Sequence, residues 1–468
     1  ILVGFPAHLT QDERRAAARA QGSSLTGVSA TGAYSHVAVP PGAELEMAQA
    51  FAAASGAAWA SPNFVARIQG PAPFPIPPND PLYARQIHLN LINVEGAWAQ
   101  EIGDPGVVVA VLDTGVAYEN RPIPPYELPN VVAGATQYLR APDLTEANII
   151  PGFDFVHNDP FPNDDNYHGT AVAAVIVQDT HNGFRHASIA PGLSILAIKT
   201  HDSSGLETLD DVIDGINYAV ANGADVINMS FSFPTALSHP DFDPFFAGMD
   251  AALEAAHDAG VVLVAANGND GTGVVSRPAI HPDVIAVGAS NFDGLTRSDY
   301  SQFSAGEAAL GIPPTPGLPG SVELVAPVGD FADRDGNGLT DSVRQETIAL
   351  NDPESFGGFQ LTGTSFAAPQ VAAVAAAMIS HGQVPGDDGI AVDILRQVLR
   401  DTARDLGSPG VDLEFGAGQL DAAAALAATK VTICHVPPGN PGNARTKRVG
   451  IPAARAHLAK ASTLGACP

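Results

Sequence analysis

The stretch VVVAVLD, residues 107–113, followed at once by Thr114-Gly115, decides how this chain is read. A continuous run of β-branched and aliphatic residues has no polar face. As a strand it must be covered on both sides, which is the condition of a parallel sheet. Four more such runs follow, at residues 194–199, 225–229, 261–265 and 284–287. Between them lie helical patterns at 209–221 and 246–259, each closing on a glycine (Gly223, Gly260) that suits a helix C-terminus. Strands alternating with helices need crossover connections, which lay helices on both faces of the sheet. The expected fold class is α/β, a doubly wound, mostly parallel sheet.

Working outward, charge marks the boundaries. The 468 residues carry 22 Lys+Arg and 50 Asp+Glu, a formal net charge of −28. Residues 1–78 balance to zero, residues 429–468 carry +6 with no acid, and the middle holds −34. Residues 70–81, GPAPFPIPPNDP, contain six prolines and read as an extended, semi-rigid linker. Four segments result: a small α+β domain at 1–69, the linker at 70–81, the α/β domain at 82–428, and a small basic domain at 429–468. Within the first, strands are expected at 1–5 and 36–39, helices at 11–21 and 45–54, and extended chain at 57–68.

Composition excludes several classes. An acidic excess of this size disfavours nucleic acid or an anionic membrane as the main partner. The longest apolar stretch, 366–379, is interrupted by Pro369 and Gln370 and falls short of the ~20 residues a spanning helix needs. No basic segment followed by an apolar one opens the chain, which starts with Ile; a removed signal peptide is the expectation. Two cysteines cannot build a disulfide scaffold.

In an open parallel sheet, reactive side chains belong at the carboxyl ends of strands and the starts of the following helices. Asp113 ends its strand. His168 opens the apolar helix HGTAVAAVIV, and Ser365 opens another in GTSFAAPQVAAVAAAMI. Singly these are ordinary: a turn, a helix start, an N-cap. Together they are the inventory of a nucleophilic triad, in which Ser attacks, imidazole carries the proton and a carboxylate orients the imidazole.

AVLDTGV, HGTAVAA and GTSFAAPQVAA resemble, in order and spacing, the three active-site motifs of the subtilisin-like serine peptidases, the subtilases. The likeness extends through APGLSILAIKTHDSSG, ADVINMSFS, VVLVAANGNDGT, HPDVIAVGASN and FGAGQLDAAAAL, over residues 78–428. It implies an endopeptidase with Asp113, His168 and Ser365 as catalytic residues, acting on protein or peptide substrates. It places the oxyanion-binding side chain on Asn269, with Asn267 an added polar residue on the pocket wall. It also implies that extended substrate meets Ser230, Phe231 and Ser232, with Ala266 and Gly268 bordering the pocket before the cut bond. Ser232, where the family commonly has Gly, narrows that pocket, and an apolar preference is expected. This sequence departs from the family at Tyr167, Ala171, Ala174, Phe366 and Gln370; none removes a triad atom.

The loop Asp333-Arg334-Asp335-Gly336-Asn337-Gly338-Leu339-Thr340-Asp341 follows the spacing of an EF-type calcium loop, with oxygen donors from Asp333, Asp335, Asn337, the Leu339 carbonyl and Asp341. Position 12 is Arg344, so a bidentate acid is missing unless Glu346 supplies one. A structural Ca²⁺ is expected there, against a plain solvated turn. Asp154, Asp159, Asp164 and Asp165, just before His168, form a second candidate cluster that resembles calcium-bearing loops of some subtilases.

Residues 1–69, ending in ASPNFV at 60–65, resemble the inhibitory propeptide of subtilases, so the chain's own N-terminal domain is an expected partner, cut free within 70–79. Residues 431–467 resemble a small Cys-bounded domain of exported bacterial proteins. A Cys434–Cys467 bond would contribute roughly 3–4 kcal/mol in the chain-entropy model. Its basic charge could dock it on the acidic body or on an acidic surface polymer. The expectation is a secreted or cell-envelope monomer, made as a zymogen. The rival is a catalytically silent subtilase fold used for surface binding.

Overall fold

The computed structural model describes all residues except 7, 30–33, 40–42, 55–56, 62–74, 145–148, 305–320, 385, 387, 438–442, 461 and 468. The expected PN-containing end of the first domain and residues 70–74 of the linker and cleavage region lie outside the described residues. The chain divides into two compact units, one of residues 1–70 with 433–468, the other of residues 71–432.

In the first unit an antiparallel sheet orders Ser24–Val28, Ser35–Ala38, Leu2–Gly4 and Trp59–Ser61. Its helices are Gln11–Ala20 and Glu44–Ala54. Val3, Phe5, Ala18, Val37 and Phe51 form its core. Thr10 and Glu13 close a capping box on the first helix, each satisfying a backbone N–H of the other. The strand Ser24–Val28 is additional to the elements expected. Residues 430–468 form a three-stranded sheet ordered Arg445–Gly450, Lys430–His435, Thr463–Leu464, with the helix Ile451–Leu458 and a disulfide joining Cys434 to Cys467.

The second unit is built on a seven-stranded sheet, all parallel, in the order Leu324–Pro327, Val284–Ser290, Val262–Ala266, Val226–Met229, Val108–Asp113, Ser194–Lys199, Ile149–Asp154. The five strands expected are present within a few residues. Val109, Ala110, Val111 and Leu112 are essentially inaccessible, as a strand covered on both faces requires. Helix Leu209–Ala221 buries Val212, Gly215, Ile216 and Ala219, one stripe at helical spacing. Helix Asp243–Asp258 starts three residues earlier than expected because Pro244 is favourable in a first turn.

Two strands and a hairpin were not anticipated. Ile149–Asp154 carries Pro151 and Gly152 and is tolerated because it is an edge strand with an irregularity between Pro151 and Phe153. Leu324–Pro327 closes the opposite edge. Val343–Ala349 and Asp352–Leu361 pair as an antiparallel hairpin outside the main sheet, turning through Leu350 and Asn351, the latter at φ 56°.

From Val108–Asp113 the chain lays Ile149–Asp154 and Ser194–Lys199 on one side, then crosses to lay the remaining four strands on the other. That reversal opens a crevice at the carboxyl end of Val108–Asp113, where Asp113 sits.

Candidate active site

Leu112 pairs with Met229, the last residue of the adjacent strand, so Asp113 and Ser230 each follow directly after that rung. The carboxylate is buried, accepts the Thr114 N–H at 2.7 Å, and meets His168 Nδ1 at 2.8 and 2.9 Å through its two oxygens. Burial opposes its charge, but the imidazole and these hydrogen bonds prevail, holding the carboxyl below its ordinary range. Burial also opposes protonation of His168, and the Asp113 charge outweighs it, raising the imidazole above its ordinary value.

His168 opens the helix His168–Val177, whose first turn lies close to the Asp113 strand. A Cβ on Gly169 would fall 2.1 Å from the Gly115 carbonyl oxygen, so only glycine permits this approach. Asp164 fixes the geometry from within. It is fully buried; Oδ1 accepts from Thr114 Oγ1 (2.9 Å), Asn166 N (2.9 Å) and Tyr167 N (3.1 Å), and Oδ2 from Thr170 N (2.9 Å) and Thr170 Oγ1 (2.6 Å). Lys199, also fully buried, donates to the Thr114 carbonyl and to Asp165 Oδ1, both at 2.6 Å.

Ser365 lies in the one-turn helix Thr364–Phe366 that leads into Ala368–Ser380, after Gly363 at φ 113°. Its carbonyl oxygen accepts from Ser230 Oγ at 2.8 Å, and Asn228 Nδ2 donates to that same Oγ at 2.8 Å. Ser365, His168 and Asp113 line one cavity of about 430 Å³. Among the described residues no hydrogen bond links His168 to Ser365; bonds of this kind are often long without substrate and tighten on binding. The Phe366 ring stands 5.4 Å from the imidazole. Gln370 is buried and donates to the carbonyls of Pro327 and Phe366, each at 2.9 Å, so it ties a strand end to the helix start.

Asn269 also lines the cavity. Its Oδ1 accepts from Thr364 N (2.8 Å) and Thr364 Oγ1 (3.0 Å), which fixes the amide orientation and leaves Nδ2 as the group available to a ligand. Ser230, Phe231, Ser232 and Ala266 line the same cavity. Gly268 is not among the lining residues; its N–H turns to Thr364 Oγ1 at 3.3 Å. Asn267 does not stand on the wall as expected. It is fully buried and donates to the Gln302 carbonyl at 2.7 Å. Tyr167 adopts φ 151°, a conformation natural to glycine, and also borders the cavity.

A family model described as the subtilase family matches residues 104–418. The chain belongs to the subtilase family. It is similar to the thermophilic serine proteinase of Bacillus sp. (strain AK1), 31% identical over 322 residues that make up 68% of this chain and 62% of that relative. The halolysin-like extracellular serine protease Nep of Natrialba magadii is 32% identical over 352 residues, 75% of this chain and 52% of the relative. Thermitase of Thermoactinomyces vulgaris is 29% identical over 334 residues, 71% of this chain and 94% of the relative. The chain thus spans 62% and 52% of the first two relatives. Among solved structures, a protease of Pseudoalteromonas arctica is 26% identical with a TM-score of 0.56, covering 75% of this chain and 98% of the other. A lanthipeptide protease, 23% identical with a TM-score of 0.54 over 73% of this chain and 93% of the other, shares the fold.

In this subtilase the two acidic clusters differ. Asp333, Asp335 and Asp341 bring ligand oxygens within 4.8 Å of one another, the one such grouping among the described residues. Asp341 is buried, its Oδ1 meets no donor, and burial raises its carboxyl to about 6. An orphaned buried oxygen facing two exposed carboxylates fits a hard cation. Glu346 does not join them, because it is buried elsewhere against Arg185 at 3.1 Å. Asp154, Asp159, Asp164 and Asp165 do not bring three ligand oxygens together, and each takes at least one protein donor, although Asp165 Oδ2 meets none. His157 binds Asp154, Phe161 N and Tyr126 bind Asp159, Lys199 binds Asp165, and Asp164 serves the brace described above.

Sequence reasoning passed over Asp164 as a brace, Ser230 as the clamp on Ser365, and His201, Glu207 and Leu350 in the cavity wall. It also missed Asp80 and Asp143, which meet the loop after helix His168–Val177. Asp80 accepts from His181 N (2.7 Å) and Asn182 N (3.2 Å), and Asp143 from Asn182 Nδ2 and Gln178 Nε2, both at 2.6 Å. The only signal was the Asn-Asp that closes the proline-rich segment.

Proposed function

We propose that this subtilase is a serine endopeptidase. The observation that carries this reading is a buried carboxylate fixed on both oxygens to the imidazole of His168, in one cavity with Ser365 and an amide oriented by Thr364. Ser365 Oγ attacks the acyl carbon as His168 Nε2 takes its proton. Asp113 holds the Nδ1 tautomer and stabilises the imidazolium. Asn269 Nδ2 and the Ser365 N–H bind the oxyanion at a helix N-terminus. His168 then protonates the leaving amine, and water attacks the acyl-enzyme by the reverse proton route. Ser230–Ser232 and Ala266 border extended substrate, and Gly268 supports the turn behind them.

Residues 1–69 act as the inhibitory propeptide of a secreted zymogen; their own apolar core, outside the compact unit that carries the triad, supports this. A structural Ca²⁺ is held by Asp333, Asp335, Asp341, Asn337 and the Leu339 carbonyl, where it adds stability and takes no part in the reaction; the orphaned Asp341 oxygen supports it. The test is a fluorophosphonate probe on the full chain. Ser365 becomes labelled, casein hydrolysis stops, and Ser365→Ala is inactive and keeps its residue 70–79 segment uncut. Undiminished hydrolysis by Ser365→Ala overturns the mechanism.

A further inference from the structure

The cavity around Ser365 carries two carboxylates, Asp113 and Glu207, and no lysine or arginine. Asp113 is committed to His168. Glu207 is not comparably engaged: its Oε2 stands 3.1 Å from His201 Nε2, yet that nitrogen is buried and makes no hydrogen bond. His201 Nδ1 pairs with Thr200 Oγ1 at 2.9 Å, and the Phe231 ring packs 4.7 Å from the imidazole, so the ring is held on two sides. An isolated bridge between the backbones of His201 and Glu207 closes the loop that carries them, and Asp202 N bonds Leu206 O at 2.9 Å across it. The two side chains are therefore presented from a fixed loop.

Thr200 Oγ1 can donate to or accept from Nδ1; in the tautomer with the proton on Nδ1, which a donor arriving at Glu207 favours, His201 offers a bare Nε2 lone pair. In that tautomer the lone pair and the carboxylate oxygen, 3.1 Å apart, repel, and a donor shared by both relieves them. Arginine and lysine side chains are donors only, with five and three N–H groups, and carry the compensating charge. We propose that His201 and Glu207 form a subsite of the substrate cleft that selects a basic side chain, distinct from the pocket bordered by Ala266. Phe231 buttresses the imidazole and supplies apolar surface for the aliphatic stem of the incoming residue.

This inference rests on the endopeptidase reading. It predicts that, at one position of a fluorogenic peptide library, Lys or Arg is preferred over norleucine by about ten- to a hundredfold in kcat/KM, the range of one charge-assisted hydrogen-bonded contact. Glu207→Gln brings that ratio close to one, and Glu207→Lys inverts the preference toward Glu at the same position. The experiment uses the full chain, with fluorophosphonate labelling of Ser365 measured in parallel. Labelled, active protein with no preference for a basic residue overturns the subsite alone, as does a preference that survives both substitutions. No labelling and no cleavage overturns the endopeptidase reading and the subsite with it.

Discussion

Asp164→Asn separates a brace from mere filler. Asp164 takes five donors, three on Oδ1 and two on Oδ2, and three are backbone N–H groups in a dry interior. An amide turns one oxygen into a donor. The less damaging orientation sets its NH₂ against Thr170, where the hydroxyl can rotate to accept but the Thr170 N–H is orphaned. An unsatisfied buried donor costs about 1–3 kcal/mol, and lost hydrogen bonds to a charged acceptor add to it, so about 2–4 kcal/mol of stability should disappear. Asp164 also joins Thr114, next to Asp113, with Thr170, two residues after His168. Displacing one element by about 1 Å lowers turnover roughly 10²-fold. The Asp164 charge contributes to the raised His168 value, behind Asp113. The acid limb of kcat/KM, which follows loss of neutral His168 as pH falls, should therefore move to lower pH. Melting is read in the Ser365→Ala background, which prevents self-digestion, and pH–rate profiles are read with Ser365 intact. Unchanged melting and an unchanged limb refute the brace; lower stability with a fixed limb reduces Asp164 to scaffolding.

Asn269→Ala should lower kcat by roughly 10²–10³ with little change in KM, measured on a peptide amide, because the lost contact forms only as the oxyanion develops. Tyr167→Gly relieves a positive φ that costs a bulky residue about 1–3 kcal/mol and should raise the melting temperature unless lost cavity contacts offset it. With Ca²⁺ near 100 times its dissociation constant, chelation should remove about 2.7 kcal/mol, and Asp335→Ala should shrink the chelator-induced drop in melting temperature. Glu346 is raised to about 7, by burial first and then by Asp143 against the opposing pull of Arg185. A raised carboxyl stabilises fully below its unfolded value and loses that stability as pH rises through about 7, so Ser365→Ala protein should weaken between pH 4.5 and 8 and Glu346→Gln should flatten the slope.

What could be read in advance, and what could not, follows from the kind of information each residue carries. Val108–Asp113 and its parallel neighbours announce themselves because burial on both faces forces apolar continuity. Asp113, His168 and Ser365 stand out because glycine and threonine crowd them at element ends. The hairpin Val343–Ala349 with Asp352–Leu361 escapes notice because its strands alternate polar residues and carry Gly357-Gly358, so neither strand has the apolar run that marks the main sheet. Asp164 and Asp341 show the deeper limit. Both are aspartates in acid-rich loops, and a cation is suggested for Asp341 by spacing and for Asp164 by resemblance to family loops. Asp164 is supplied with five protein donors and has no call for an ion, whereas Asp341 is left with a buried oxygen that none reaches. Residue type gives the chemistry a side chain can offer; only the partners folded around it decide whether that offer is already taken. The same test distinguishes Asn267, whose amide is spent on Gln302, from Asn269 two residues later, whose oxygen is pinned so that its N–H₂ faces the reaction.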